Sequence, residues 1–384
     1  MEGRFLGSFG YKRVASSSSS AHEPSQLAGA SLVPVAAPIA TRRRGSQSLA
    51  LLLPPAPQSP VPFATATPVS PQWVTSFCQL AAKLKNVSVL NQVINHGVSA
   101  TLLEDFKREI IDFFNLPKEA KKKLWQQPDN QEGFGQLFVI SEEQKLDWSD
   151  MFYITTLPTS LRIQLFENLP PKLRSLSLSL TGDAGILIYR SEKVGHHYLM
   201  SNGQGSKKVD IEEIEEMFSD EVQSMRMNYY PPCPEPDMAI GFTPHSDADA
   251  LTILFQLNEV EGLQIRKDGN WVPVTPLPNA FVVNIGDIME VLSNGVYRSI
   301  EHRAMVNATK ERLSIATFYS SCLDSELGPA RSLIGPDNPA RFRRVPIDKY
   351  FKEFFARKLN GKAYLDLMKI EVAEDGSCGI NLHT

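Results

Sequence analysis

Cysteine is scarce. The chain of 384 residues has four, Cys78, Cys233, Cys322 and Cys378, with no Cys-x-x-Cys pair among them. That spacing excludes a disulfide scaffold and a zinc knuckle, and points to a reducing compartment. Long apolar runs are missing too: Leu49 to Leu53 ends at Pro54-Pro55, far short of the ~20 residues that span a bilayer. Nor is there an excess of one charge, since the formal net charge is −4, so no basic field argues for nucleic acid. Neither nucleic acid nor membrane is an expected partner.

What is present is unevenly distributed. Residues 1–72 hold ten of the 27 prolines, a serine run at 16–20, and six Lys or Arg against only Glu2 and Glu23, so this segment is +4 and residues 73–384 are −8. Such a stretch cannot bury enough apolar surface to offset its conformational entropy, and disorder is expected. Its Ser-, Ala- and Arg-rich, acid-poor composition is also that of an organelle transit peptide. A cytoplasmic monomer is the expectation, with plastid targeting by the tail as the open alternative.

An amphipathic helix follows. Thr101 precedes Glu104 by three residues, as in a capping box, and Leu102, Leu103, Phe106, Ile110 and Phe113 recur at helical spacing until Leu116-Pro117. This spacing predicts a packing helix, and His96 in Ile94-Asn-His-Gly97 reads as a turn residue and not as a ligand. From about residue 225 the texture becomes short β-rich runs: Leu251–Leu257, Gly262–Ile265, Trp271–Val274, Ala280–Asn284, Ser299–Val306 and Leu313–Tyr319. Their spacing is that of a sandwich or barrel, and Lys267-Asp-Gly-Asn270 is a hairpin turn. The second half is therefore expected to be a double-sheet jelly roll.

Within those runs, His245-Ser-Asp247 places an imidazole and a carboxylate at i and i+2, on one face if the strand is extended. Alone, His-x-Asp is common in chains that bind no metal. A third donor, His302, lies 57 residues on, in a stretch able to run antiparallel beside the first. Two His and one carboxylate form the facial triad of non-haem Fe(II) oxygenases, which leaves coordination positions open. Arg312-Leu-Ser314 then presents a guanidinium fork and a hydroxyl from one strand face, suited to the far carboxylate of a keto diacid.

With these motifs the chain resembles the plant Fe(II)/2-oxoglutarate-dependent dioxygenases, in the branch of norcoclaurine synthase-like, codeine O-demethylase-like and senescence-related enzymes. The matching segments run in order: Met225-Arg-Met-Asn-Tyr-Tyr-Pro-Pro-Cys-Pro234, Thr243-Pro-His-Ser-Asp247, Pro278-Asn-Ala-Phe-Val-Val-Asn-Ile-Gly-Asp287, Tyr297-Arg-Ser-Ile-Glu-His-Arg303 and Arg312-Leu-Ser-Ile-Ala-Thr-Phe-Tyr319. The resemblance implies an α+β fold, a double-stranded β-helix (jelly roll) with flanking helices. It implies that His245, Asp247 and His302 bind iron, that Arg312 and Ser314 bind 2-oxoglutarate, and that Asn228 and Tyr230 touch the co-substrate near the metal. Packing beneath a Pro-rich loop is an equal reading of Tyr230, and Phe318 reads equally as pocket lining or core. The implied reaction consumes O2 and 2-oxoglutarate, with ascorbate as reductant, releases succinate and CO2, and hydroxylates, desaturates or O-demethylates a small metabolite.

The resemblance also divides the chain into an atypical tail (1–72), a mainly helical part (73–220), the dioxygenase jelly roll (221–325) and a C-terminal helical extension (326–384). Two departures stand out. An early strand of the family is replaced by the Pro/Ser tail, and over 180–208 the expected amphipathic helix gives way to a segment with no helical period. Reading permitted codons for Glu192 to Lys208 one nucleotide later restores an apolar helix, Arg-Lys-Leu-Ala-Ile-Ile-Ile-Leu-Cys-Gln-Met-Ala-Lys-Ala-Leu-Lys, so the printed frame is expected to be shifted there. The alternative function is a catalytically defective relative that binds metal or ligand without turnover. A purely structural role does not fit a triad and an anchor that are complete together.

Overall fold

The computed structural model describes residues 50–51, 90–94, 96–127, 130–135, 147–162, 164–190, 213, 217–218 and 222–370. Its strands are β1 (Ala50–Leu51), β2 (Leu90–Val93), β3 (Gly133–Gly135), β4 (Asp150–Leu157), β5 (Val222–Tyr230), β6 (Phe242–His245), β7 (Leu251–Gln256), β8 (Leu263–Lys267), β9 (Asn270–Pro273), β10 (Phe281–Ile285), β11 (His302–Ala304), β12 (Arg312–Ser320), β13 (Glu326–Leu327) and β14 (Val345–Pro346). The helices are α1 (Ala100–Phe114), α2 (Lys118–Lys122), α3 (Gln164–Glu167), α4 (Pro171–Arg190), α5 (Asp287–Leu292), α6 (Ile347–Phe355) and α7 (Ala363–Met368).

An eight-stranded sheet, in the order β1-β2-β10-β7-β12-β5-β4-β3, and a four-stranded sheet, β6-β11-β8-β9, make up the jelly roll, as the strand spacing predicts. The strand period of two assigns the faces of the large sheet. Ile253 and Phe255 on β7, Phe281 and Val283 on β10, Leu313 and Ile315 on β12, and Met225 and Met227 on β5 point outward into the main core with the α1 residues Leu103, Phe106, Ile110 and Phe113. The alternate residues Leu254, Val282 and Ala316 point inward and meet Leu263 and Val274 in a second, smaller cluster, with Phe318 packed at its edge. The remaining inward positions are polar, among them Arg226, Asn228, Thr252, Asn284, Arg312 and Ser314, all buried. A sheet with one apolar face and one polar inner face is what a barrel with a site inside it requires.

Local expectations hold with some shifts. Helix α1 is where its periodicity predicts, but its cap is Ser99, whose Oγ accepts from Leu102 N at 3.5 Å, and not Thr101. The hairpin at Lys267–Asn270 forms, with Asp268 and Gly269 at φ 49° and 79°, the positive pair a type I′ turn needs. The run expected over Ser299–Val306 pairs only as His302–Ala304, because Ser299 turns away to bond Asp287 and Glu290. His96 is a buried, satisfied turn residue: Nε2 meets Asn279 O at 2.7 Å and Nδ1 accepts from Val98 N.

Inside the segment expected to be disordered, Ala50 and Leu51 form a short parallel strand on the edge of β2, where an unpaired strand offers its backbone groups. The rest of residues 1–72 lies outside the described residues. Helix α4 continues through Gly182 and Gly185 to Arg190 although the apolar period fails there, while residues 191–208, including His196-His197, lie outside the described residues. Among the described residues no helix is long and apolar enough to cross a membrane, and Cys233 and Cys322 are free thiols.

The C-terminal elements close over the strand that carries His245. Gly361 N donates to Pro244 O at 2.9 Å, and the Tyr350 hydroxyl donates to Ala248 O at 3.0 Å.

Candidate active site

His245 ends β6 and His302 begins β11, and these two residues face each other across the antiparallel pair. Asp247 is not on the strand, as an i, i+2 reading supposes. It lies in the loop beyond β6, where its carbonyl accepts from Asp287 N at 2.8 Å. The loop still delivers its carboxylate: Asp247 Oδ1 is 3.5 Å from His245 Nε2 and 3.6 Å from His302 Nε2. The three are buried, and their donor atoms lie within 4.8 Å of one another.

The remaining ring nitrogens settle the tautomers. His245 Nδ1 lies 2.8 Å from Thr243 O and His302 Nδ1 3.1 Å from Ile300 O. A carbonyl only accepts, so Nδ1 carries a proton on each ring and Nε2 is the atom turned to Asp247. Burial, with His302 beside it, pulls His245 down to about 4, which keeps that ring neutral at pH 7. Burial alone would raise the Asp247 carboxyl, but His302, His245 and the Thr252 hydroxyl outweigh it and hold it below the usual carboxylate range. Two imidazoles and one carboxylate are the donor set a divalent first-row metal takes.

On the inner face of the other, eight-stranded sheet, Arg312 and Ser314 share one face of β12, with Nη1 3.5 Å from Ser314 Oγ. Arg312 Nη2 donates to Gln256 Oε1 at 3.0 Å, and the guanidinium lies 5.1 Å from the Tyr230 ring centre. Asn228 stands opposite Ser314 and Tyr230 opposite Arg312 in the β5–β12 register. Arg312 Nε and Asn228 Oδ1 are buried without a hydrogen-bond partner, which is what a polar ligand's wall looks like before the ligand is added. Gly262 makes room for the arginine, since a Cβ there would meet Arg312 Cδ at 2.6 Å.

Several residues here were not singled out from the sequence. Thr252 Oγ donates to Asp247 Oδ2 at 2.7 Å. Gln256 steadies Arg312. Asp287 joins the loops on either side of the triad, and burial pushes it up to about 7 against the pull of Ser299, Lys362 and Ser246. Arg226 is buried with Nε unpartnered, its guanidinium 4.0 Å from the Phe242 ring centre. That ring is in turn 4.3 Å from His245. Arg226 precedes Asn228 by two residues, so strand alternation was the signal that could have found it.

Comparison with known proteins matches this architecture to two family models: "2OG-Fe(II) oxygenase superfamily" over residues 221–321 and "non-haem dioxygenase in morphine synthesis N-terminal" over 75–172. Protein SRG1 of Arabidopsis thaliana is 52% identical over 286 residues, covering 73% of this chain and 76% of SRG1. The chain belongs to the 2OG-Fe(II) oxygenase superfamily. It is a 2-oxoglutarate-dependent dioxygenase, an oxidoreductase using Fe(II), 2-oxoglutarate and O2, with ascorbate as the usual reductant. Codeine O-demethylase of Papaver somniferum is 48% identical to this dioxygenase over 280 residues, covering 73% of the chain and 76% of that enzyme. Among solved structures, JOX2 in complex with 2OG, Fe and JA superposes with a TM-score of 0.68 at 32% identity, covering 76% of this chain and 85% of JOX2.

Proposed function

We propose that His245, Asp247 and His302 hold the iron, that Arg312 and Ser314 hold the far carboxylate of 2-oxoglutarate, and that Asn228 and Tyr230 contact the co-substrate between them. The observation that carries this reading is the two Nε2 atoms and the Asp247 oxygen converging on one buried point, carried by the four-stranded sheet and its following loop, while the partly unpartnered Arg312 stands on the inner face of the eight-stranded sheet.

When bound, iron with 2-oxoglutarate and O2 supplies an oxidant able to take a hydrogen from an unactivated carbon, with succinate and CO2 as co-products. The chain's residues do the rest. Thr243 and Ile300 fix the imidazole tautomers, Thr252 fixes the carboxylate, and the Arg312 fork sets the co-substrate's reach and orientation. Burial of the three donors keeps bulk water from the reacting centre. Phe318 is paired across the sheet with Thr252 and Arg226 with Ala316, so both are assigned to the border of the prime-substrate space.

The substrate in this reading is a small metabolite that is hydroxylated, desaturated or O-demethylated, since codeine O-demethylase is a close relative. In this reading the protein is a cytoplasmic monomer, with plastid targeting by the tail as the alternative, and the absence of a basic field speaks against a nucleic-acid partner. Incubating the protein with a panel of methoxylated and unmethylated metabolites, 2-oxoglutarate and Fe(II) tests the substrate class by mass spectrometry. The reading expects a product with added oxygen, lost hydrogen or a lost methyl group, matched mole for mole by succinate. Succinate with no changed metabolite across the panel would count against the class chosen. The alternative, a member that binds without turnover, rests on the lost helical pattern over 180–208, and absence of any succinate would favour it.

A further inference from the structure

The proposed metal donors come from two segments far apart in the chain, and one side chain grips both. Asp287 Oδ2 accepts from the hydroxyl of Ser246, the residue between His245 and Asp247, at 2.9 Å. Its other oxygen, Oδ1, accepts from the hydroxyl of Ser299, three residues before His302. Its own backbone N–H donates to Asp247 O at 2.8 Å. The carboxylate is 1% exposed and the two serines 2% and 3%, so these bonds face little competition from water.

A second layer supports the grip. Glu290, three residues on along α5, accepts from Ser299 N at 2.6 Å. Lys362, just before α7, donates to Glu290 Oε2 at 2.6 Å and to Ser299 O at 3.0 Å. The approach is close enough to dictate the preceding residue: a Cβ at Gly286 would lie 1.9 Å from Asp249 O and 3.1 Å from Asp247 O.

We propose that Asp287 is a positioning residue for the metal centre, holding the His245–Asp247 loop and the Ser299–His302 segment at one separation, with Lys362 locking this brace to the C-terminal extension. The proposal rests on the reading of His245, Asp247 and His302 as the metal ligands. It is independent of the co-substrate, because every bond in the brace lies behind the donors. Groups that orient metal ligands in this way are typically worth about 10–100-fold in metal affinity.

Co(II) titration of the full chain, followed by visible absorption, reads the donor geometry directly without turnover. Asp287→Ala is expected to weaken Co(II) binding roughly 10–100-fold and to change the shape of its absorption bands. Asp287→Asn, which keeps an acceptor and nearly the same shape, should recover most of the affinity. Because Asp287→Ala could unfold the protein, Ser246→Ala is the second variant; it cuts one arm only and should weaken binding by a smaller factor with an unchanged far-ultraviolet spectrum. Unchanged Co(II) affinity and band shape in folded Asp287→Ala, or in Ser246→Ala if the first does not fold, overturns the brace. His245→Ala separates the two levels. If it abolishes Co(II) binding while the brace variants bind normally, only the brace fails; if it leaves binding intact, the ligand reading fails and the brace with it.

Discussion

Replacing Arg312 with alanine removes the guanidinium that pairs with Ser314 and Gln256 on the inner face of the eight-stranded sheet. The side chain is 2% exposed, so the carboxylate it is assigned to hold would lose its partner in a water-poor place. Removing one partner of a buried charge pair costs about 3–5 kcal/mol. At about 1.36 kcal/mol per tenfold, the KM for 2-oxoglutarate should rise by roughly two to three and a half orders of magnitude, with a smaller effect on kcat at saturation. Arg312→Lys keeps the charge but not the fork. Losing one charge-assisted bond, about 1.5–3 kcal/mol, predicts a KM rise of roughly ten- to a hundredfold. Succinate release against 2-oxoglutarate concentration gives both values, and thermal unfolding of each variant shows whether the fold survives. A KM within twofold of the parent in folded Arg312→Ala would refute the anchor.

Thr252→Val keeps the shape and removes the hydroxyl that donates to Asp247 Oδ2; Fe(II) affinity should fall by roughly tenfold or more, with Thr252→Ser restoring it, as read by iron titration in the absence of O2. Gly286→Ala forces a carbon against Asp249 O and should lower stability by about 1–3 kcal/mol or more, measured by urea unfolding; an unchanged midpoint would contradict that packing. Glu132 is buried with Oε2 unpartnered, and burial raises its carboxyl against hydrogen bonds from Thr155. The folded state therefore holds this proton to higher pH than the unfolded one, so its stabilising contribution is full below about 4.3 and is lost as pH rises through the folded value. Glu132→Gln should flatten that part of the stability–pH curve, and equal slopes would contradict the assignment. Sequencing the transcript across codons 180–208 tests the shifted frame: an uninterrupted printed frame would remove the sequence-error version.

Much of the site could be read in the sequence because strand geometry is periodic. Arg312-x-Ser314 and the alternation through Asn228 and Tyr230 survive translation into β12 and β5, and His302 does run antiparallel beside His245. What escaped depends on contacts between elements, which spacing does not encode. Thr252 meets Asp247 only because β7 passes the loop, Gln256 meets Arg312 across the β7–β12 pair, and Asp287 meets Ser246 and Ser299 because α5 begins behind both. Asp247 reaches the two imidazoles by another route than strand alternation, from a loop held by Asp287 N and not from a continued strand. Ser99 took the cap from Thr101 because chain entry and not motif order decides which hydroxyl reaches the first free N–H groups. Ala50–Leu51 shows the limit of composition: a Pro-rich, acid-poor segment can still lend two residues to an open strand edge.

Succinate release in the absence of any prime substrate is the most direct measure of the central claim, that His245, Asp247 and His302 hold iron for 2-oxoglutarate oxidation. Purified protein given Fe(II), 2-oxoglutarate, ascorbate and O2 should release succinate slowly, and His245→Ala should release none above a protein-free control. Equal release from the parent and from folded His245→Ala would contradict the account.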